Sequence, residues 1–176
     1  MLNSNFYQRD SSIGAFGNPL YDNLLSGTDA WLSLNYGIYG FNAGIRFDLF
    51  NNSNLHDPNI AYSAQGIGMW YITKELKKLK ITGGYFYDQF ATGITFRSYE
   101  DRGLGIDNAI QGIHLKYNLN DNWTIKAFTG KQKDLFSTYG PIIKGVNLEG
   151  MISISDSLQL SILPGISVVN RTLDKQ

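Results

Sequence analysis

Residues 41–50, Phe-Asn-Ala-Gly-Ile-Arg-Phe-Asp-Leu-Phe, decide the fold. From Phe41 to Leu49 the odd-numbered positions are apolar, and the even-numbered positions between them are polar or glycine. Because successive side chains of a β-strand point to opposite faces, this alternation predicts a strand with one apolar and one polar face. Residues 30–36 alternate in the same way, with Trp31 as the exception, and the turn Tyr-Gly-Ile-Tyr-Gly at 36–40 joins the two segments into a hairpin.

The same alternation recurs along the chain and predicts about nine strands of close to ten residues each. Ten residues is the length that a tilted membrane-spanning strand requires, and helical periodicity is nowhere sustained. Besides the two strands of the hairpin, the predicted segments are residues 2–7, 66–72, 79–89, 110–119, 123–127, 142–154 and 158–168.

The predicted connections alternate in length. An up-and-down barrel places alternate connections on opposite sides, and outer-membrane barrels have short turns on one side and longer loops on the other. Aromatic residues also lie near the predicted strand ends, as interfacial girdles would. The long connections are 8–29, 51–65, 90–108 and 132–141, the short ones are 37–40, 73–78, 120–122 and 155–157, and the aromatic residues are Tyr36, Tyr39, Phe41, Tyr117 and Trp123.

The composition of the 176 residues excludes several classes of function. The net charge is zero and the basic residues are scattered apart from the short run from Lys74 to Lys80, so no nucleic-acid-binding surface is predicted. Without cysteine there is no disulfide framework or thiolate metal site, and two histidines make a transition-metal cluster improbable. No apolar run is long enough for a membrane-spanning helix, so a spanning role requires a barrel.

Two barrel types predict opposite orientations for the two faces. A transmembrane barrel places its apolar face against lipid and its polar face in the lumen, whereas a soluble lipocalin-like barrel inverts them. The transmembrane interpretation places Phe41, Ile45, Phe47, Ile81, Leu115, Ile125 and Leu148 against lipid. It predicts six lumen-facing residues: Arg46, Lys80, His114, Lys116, Lys126 and Glu149.

Residues 88–112 form the least repetitive stretch and concentrate charge. One interpretation is a loop tied down by its own ion pairs. Another is a loop folded inward by charge-assisted hydrogen bonds, which constricts a lumen or forms a binding site. The residues of this predicted charge cluster are Asp88, Arg97, Glu100, Asp101, Arg102 and Asp107.

Catalytic and metal-binding interpretations find little support. Glu100 and Asp101 are adjacent, and adjacent side chains of an extended segment point apart, which disfavours acid and base chemistry. His114 has no serine at a neighbouring position on its face, as a barrel lipase would need. His56 lies in a loop rich in Asn and Asp, but the spacing matches no EF-hand. The sequence therefore predicts no enzyme, no metal site and no cofactor.

The run FRSYEDRGLGIDNAIQGIHLKY at residues 96–117 follows GGYFYDQFATG at 83–93. The chain here resembles a family of uncharacterised outer-membrane β-barrel proteins from Bacteroidota. The resemblance extends to SNFYQRDSSIGA, YGFNAGIRFD, TGKQ and IIKGVNLEG and so covers nearly the whole chain. It implies location and architecture but no reaction. Its motif positions, which carry no assigned role, are Arg97, Tyr99, Glu100, Asp101, Arg102, Gly105 and Asp107.

These observations predict an antiparallel up-and-down transmembrane β-barrel of about eight or nine strands in the outer membrane of a Gram-negative bacterium. Residues 1–176 form one domain. About nine strands do not complete a single-chain bacterial barrel, and the resemblance implies longer family members, of which this chain is expected to be an N-terminal part. The predicted function is a porin-like pore or a binding protein for a small solute, with a scaffold for other surface proteins as the alternative. A soluble lipocalin-like binding protein ranks lower. The expected partners are lipid, the barrel-assembly machinery and other surface proteins.

Overall fold

The computed structural model describes residues 1–8, 10–13, 24–56, 60–155 and 160–172. The strands found in these residues are β1 (Leu2–Phe6), β2 (Ser26–Ile38), β3 (Phe41–Ser53), β4 (Tyr62–Leu76), β5 (Leu79–Phe86), β6 (Glu100–Asp101), β7 (Ile106–Asp107), β8 (Ile110–Asn118), β9 (Trp123–Asp134), β10 (Ser137–Gly150), β11 (Ile152–Ser155), β12 (Leu160–Ile162) and β13 (Gly165–Thr172).

Nine of these strands form one antiparallel sheet in the order β1-β2-β3-β4-β5-β8-β9-β10-β13. Two small hairpins, β6-β7 and β11-β12, stand outside it. The predicted all-β, antiparallel, up-and-down architecture is thereby confirmed. Within the described residues the sheet is open, because β1 and β13 each pair with a single neighbour. No helix in this part of the chain is long and apolar enough to cross a membrane.

The sheet is strongly curved. Strands β3 and β9 are four strand spacings apart, roughly 19 Å in a flat sheet. Phe50 of β3 and Phe136 of the β9-β10 turn nevertheless have ring centroids 5.9 Å apart. The polar sides of the two strands therefore face each other across a concave surface, here called the inner face; the opposite surface is the outer face. Gly84, Gly112 and Gly130 lie in register on β5, β8 and β9, and such glycines ease curvature and close packing.

One predicted connection and two predicted strands are corrected by the structure. The connection predicted at 132–141 is a turn of two residues, Leu135 and Phe136, between longer strands. The register of β10 shifts between Thr138 and Ile142, and Pro141 interrupts the alternation there, so the sequence pattern resembled a loop. The strand predicted at 142–154 divides at Gly150, and that predicted at 158–168 contains β12 and the start of β13. Most of the turn predicted at 155–157 lies outside the described residues.

Residues 87–109, here called the inner segment, cross the inner face between β5 and β8. Phe90 of this segment is 1% exposed and packs with Phe96 against Phe86, Ile110 and Phe128 of the sheet. Ile143 and Val169 contact the same cluster from β10 and β13. The main apolar core therefore lies between the inner segment and the inner face, while the sheet's other surface contributes little to it.

The two faces differ in exposure around the inner segment, whereas toward the short turns both are exposed, as at Ser33 and Asn35. Many polar residues of the inner face are buried, among them Arg46, Asp48, Thr73, Thr82, His114 and Asn147. Large apolar residues of the outer face are exposed, among them Leu32, Leu34, Phe47, Ile72, Ile113, Leu115, Val146 and Val168. Phe41 is also exposed, and Ile45, Ile81, Ile125 and Leu148 are half-buried in the same rows of the sheet. This distribution is the reverse of that expected for a lipocalin-like barrel.

Candidate functional site: charge networks on the inner face

The first network centres on Arg46, which is 5% exposed on β3. Its Nε donates to Asp48 Oδ1 at 2.7 Å, and its Nη2 donates to Asp48 Oδ2 at 2.9 Å. Nη2 also donates to Asp107 Oδ2 at 2.9 Å, and Nη1 donates to Glu100. One guanidinium therefore joins a carboxylate of its own strand to Glu100 and Asp107 of the β6-β7 hairpin.

Asp107 connects this network to β9. Lys133 Nζ donates to Asp107, and the Tyr87 hydroxyl donates to Asp107 Oδ1 at 2.7 Å. Arg102 pairs with Glu100, its Nε lying 3.1 Å from Oε1. The first network thus holds three cations and three carboxylates. Charges removed from water need such matched partners, since an unpaired buried charge is very costly.

The second network lies on β8, β9 and β10 around Asp88. Asp88 Oδ2 lies 2.9 Å from His114 Nε2, and Asp88 Oδ1 lies 3.4 Å from Lys126 Nζ. Lys126 Nζ also lies 2.9 Å from Glu149 Oε1. The amide of Asn147, which is fully buried, donates to Glu149 Oε2 at 2.8 Å. The inner segment is therefore attached to the sheet near both of its ends, through Asp88 and Asp107.

Eight of the twelve residues predicted as the charge cluster or as lumen-facing come together in these networks: Asp88, Glu100, Arg102, Asp107, Arg46, His114, Lys126 and Glu149. Arg97 lies outside them and stacks on Tyr99, with its Cζ 4.6 Å from the ring centroid. Asp101 also points away from Glu100, because its Oδ1 accepts the N–H of Gly103 at 3.0 Å.

The two remaining residues, Lys80 and Lys116, are paired across β5 and β8 and belong to neither network. Lys80 is exposed and pairs with Glu75, its Nζ lying 2.8 Å from Oε1. Lys80, Lys116 and Lys126 lie in one cross-strand row on the same face, but of the three only Lys126 reaches Asp88 and Glu149. The alternation pattern gives the face of a residue and not the partners that its side chain reaches.

Four members of the networks were missed by the sequence interpretation: Asp48, Tyr87, Lys133 and Asn147. Asp48 follows Arg46 by two residues on the same strand face, so the alternation contained a signal for it. Lys133 was assigned to the connection 132–141 and was therefore not considered as part of a strand. Tyr87 and Asn147 carry no sequence signal that separates them from other polar residues.

A cavity of about 50 Å³ remains beside the first network. Its walls include Arg46, Glu100, Arg102 and Asp107, and the ring of Phe50 closes one side. A space of this size holds a few water molecules and excludes a solute as large as a sugar. His56 also lines the cavity and packs its ring against Phe50 with centroids 5.2 Å apart. In the ranges that the structure describes, no group of three His, Asp or Glu residues is arranged to hold a metal ion.

The network imposes a packing requirement on Gly68 of β4. A Cβ atom built there would lie 1.7 Å from Asp48 Oδ2, so a side chain must displace the carboxylate that Arg46 binds. We expect Gly68→Ala to lower the free energy of unfolding by about 1–3 kcal/mol, as overpacking does. The matched control is Gly83→Ala, because a Cβ on Gly83 meets nothing within 4 Å. Equal denaturation midpoints for the two variants would contradict the assigned packing.

Acid should weaken the attachment of the inner segment. Burial raises the pKa of the Asp107 carboxyl, but hydrogen bonds from Lys133, Tyr87 and Arg46 outweigh burial and hold that pKa below its ordinary value of 3.8. The pKa of Asp88 is lowered in the same way by His114 and Lys126. A lowered carboxylate pKa contributes stability that is present above the ordinary value and lost as the pH falls through the lowered one.

Denaturation midpoints should therefore be constant from neutral pH to about pH 5 and fall below about pH 4. An Asp107→Asn variant is the control, and its midpoint should vary less over the same acid range. A wild-type midpoint that does not change down to about pH 2 would contradict the assigned ion pairs.

Fold and site together define an all-β protein with a curved antiparallel sheet, whose polar face is filled by charge networks and a crossing segment. A family model matches residues 1–176, and the chain belongs to that family, a family of unknown function (DUF6029). The expectation of an uncharacterised family is thereby confirmed. No curated protein matches the chain, and no solved structure matches it.

Proposed function

We propose that the protein is a transmembrane β-barrel protein of the outer membrane of a Gram-negative bacterium, with an interior occupied by its own inner segment. The supporting observation is that the outer face exposes apolar side chains while the inner face buries charged ones. The outer face exposes Leu34, Phe47, Leu115 and Val168, while Arg46, with its carboxylate partners, is buried opposite. In water such a surface is a liability, whereas in a bilayer it is the face that contacts lipid.

Aromatic residues at one end of the sheet support the same proposal. Tyr36 and Tyr39 lie at the β2-β3 turn, and Tyr117 lies near the β8-β9 turn. Both turns are at the same end of the sheet. All three are exposed. Tyrosine is enriched where a membrane-spanning element meets the interface, because its ring is apolar and its hydroxyl is polar.

The open edges require further strands in this proposal. Strand β13 pairs with β10 alone among the described residues, and β1 pairs with β2 alone. Lipid cannot satisfy the hydrogen-bonding groups of an open sheet edge, so a spanning sheet must close. We propose that additional strands of a longer chain complete the barrel, and that the barrel-assembly machinery inserts it.

Between the roles considered, the geometry favours a scaffold for other surface proteins over an open pore. The inner segment buries Phe90, Ala109 and Asn147 almost completely, and the remaining cavity beside Arg46 holds only a few water molecules. A conducting lumen needs a continuous aqueous path, and the inner segment packs across the inner face where such a path would run. The resemblance to outer-membrane proteins of Bacteroidota adds support for the location.

Fractionation and conductance together test the proposal. The full-length protein should remain with the outer membrane after alkaline carbonate extraction, and recovery in the soluble fraction would contradict the membrane location. Purified full-length protein should then leave a planar bilayer non-conducting. Regular channel openings would contradict the scaffold role and support the pore. Glu100→Gln provides a second readout for any openings that are seen. Glu100 pairs with Arg46 and Arg102, so removing its charge would change the conductance of a pore that is constricted at this network.

A further inference from the structure

The outer face carries an open apolar groove between β8 and β13. Its volume is about 490 Å³, and its walls are the apolar side chains of Ile113, Leu115, Val146 and Val168. Ala127 lies between these larger residues, and its small side chain leaves the space that forms the groove. The groove is therefore a shallow apolar depression on the surface that we propose contacts lipid.

A positively charged residue, Lys144, borders this groove. Lys144 on β10 is paired in register with Thr129 on β9 and with Asn170 on β13, so a polar row borders the apolar row of Ala127, Val146 and Val168. Lys144 is exposed, and in the described part of the chain it makes no ion pair or hydrogen bond. A charged group beside lipid needs a counter-charge, which the protein does not supply here.

Lys74, another lysine of the outer face, shows the contrast. Its Nζ donates to the carbonyl oxygen of Tyr39 at 2.9 Å and lies 3.8 Å from the ring centroid of Phe41. Lys74 is thus engaged by the protein near the β2-β3 turn. The Lys144 side chain is exposed at the boundary between the apolar row and the polar row. In the proposed membrane orientation, lipid headgroups lie at such a boundary and a lysine there can bind them.

We propose that this groove binds an anionic phospholipid of the surrounding membrane, with an acyl chain along the apolar walls and the headgroup phosphate on Lys144. This inference rests on the proposed membrane location. The apolar walls select a lipid over a free anion, and Lys144 selects an anionic headgroup over a zwitterionic one. Asn170 adds a polar side chain within the same row.

The test uses the full chain reconstituted into vesicles of equal parts phosphatidylglycerol and phosphatidylcholine. Lipid that remains bound after mild detergent extraction is identified by native mass spectrometry. Wild-type protein should retain phosphatidylglycerol about fivefold over phosphatidylcholine, the preference that one lysine near an anionic headgroup provides. Lys144→Gln should lose this preference, and Lys144→Arg should keep it. Lys116→Gln, on the inner face of β8, is the matched control and should behave like wild type.

Two further arms separate the alternatives. Ala127→Phe, which fills the groove floor, should lower the retained lipid while leaving insertion intact. Inorganic phosphate should not displace the lipid, and displacement would show a free-anion site and overturn the inference. Unchanged preference in Lys144→Gln would overturn the lipid site and leave the membrane location standing. Failure of wild-type protein to insert into the vesicles would overturn the membrane location, and the lipid site with it.

Discussion

Replacing Arg46 by Ala is expected to lower the free energy of unfolding by about 3–5 kcal/mol, the cost of removing one partner of a buried ion-pair network. Arg46 is 5% exposed and binds Asp48, Glu100 and Asp107 at once. Without the guanidinium, three carboxylates share a buried site in which Lys133 and Arg102 are the remaining cations. Denaturant titration of the protein in detergent micelles measures the change.

Arg97→Ala is the matched control for this variant. Arg97 is exposed and stacks on Tyr99, outside both networks, so its removal should change the free energy of unfolding by less than about 1 kcal/mol. Arg46→Lys should recover only part of the loss, because an ammonium cannot bind Asp48 with two parallel hydrogen bonds. Equal effects of Arg46→Ala and Arg97→Ala would contradict the network.

Replacing Leu115 by Arg is expected to cost about 2–4 kcal/mol if this position lies near the middle of a bilayer. Leu115 lies on the outer face of β8, between Ile81 of β5 and Ala127 of β9. An arginine there must either remain in hydrocarbon or distort the bilayer to reach water. Unfolding of the full-length protein from lipid vesicles measures this cost.

Lys116→Gln is the control at the neighbouring position, which faces the inner side, and it should have little effect on stability. A soluble protein would give a different result, because Leu115 is 38% exposed and an arginine there would simply be hydrated. A cost below about 0.5 kcal/mol for Leu115→Arg, measured in vesicles, would therefore contradict lipid contact at the outer face.

Much of the fold follows from one local rule. The alternation in residues 41–50 predicts both the strand β3 and the face on which each side chain lies, and the same rule gave nine sheet strands in meander order. It failed where alternation is interrupted. Pro141 and the register shift beside it made the start of β10 resemble a loop. The extension of β9 to Asp134 was missed because residues 129–134 contain no apolar side chain that could alternate.

The site was less accessible to sequence reasoning than the fold. The density of charge in residues 88–107 indicated that this segment holds ion pairs. The sequence did not decide whether the partners lie within the segment itself or on the strands around it. Arg46 and Asp107 are separated by 61 residues and meet only because the sheet curls and the inner segment crosses it. Curvature depends on glycines and bulges distributed over several strands, such as Gly84 with its positive φ of 101°, and no short pattern reports it.

The central claim is that the apolar outer face contacts lipid while the polar inner face is enclosed. Because the chain has no cysteine, single-cysteine variants can carry a spin label without background. Labels at neighbouring positions, Leu115→Cys with Lys116→Cys and Leu34→Cys with Ser33→Cys, should alternate in vesicles. Labels at 115 and 34 should collide readily with oxygen dissolved in the bilayer and little with a water-soluble nickel chelate. Preferential collision of these two labels with the chelate would contradict the account.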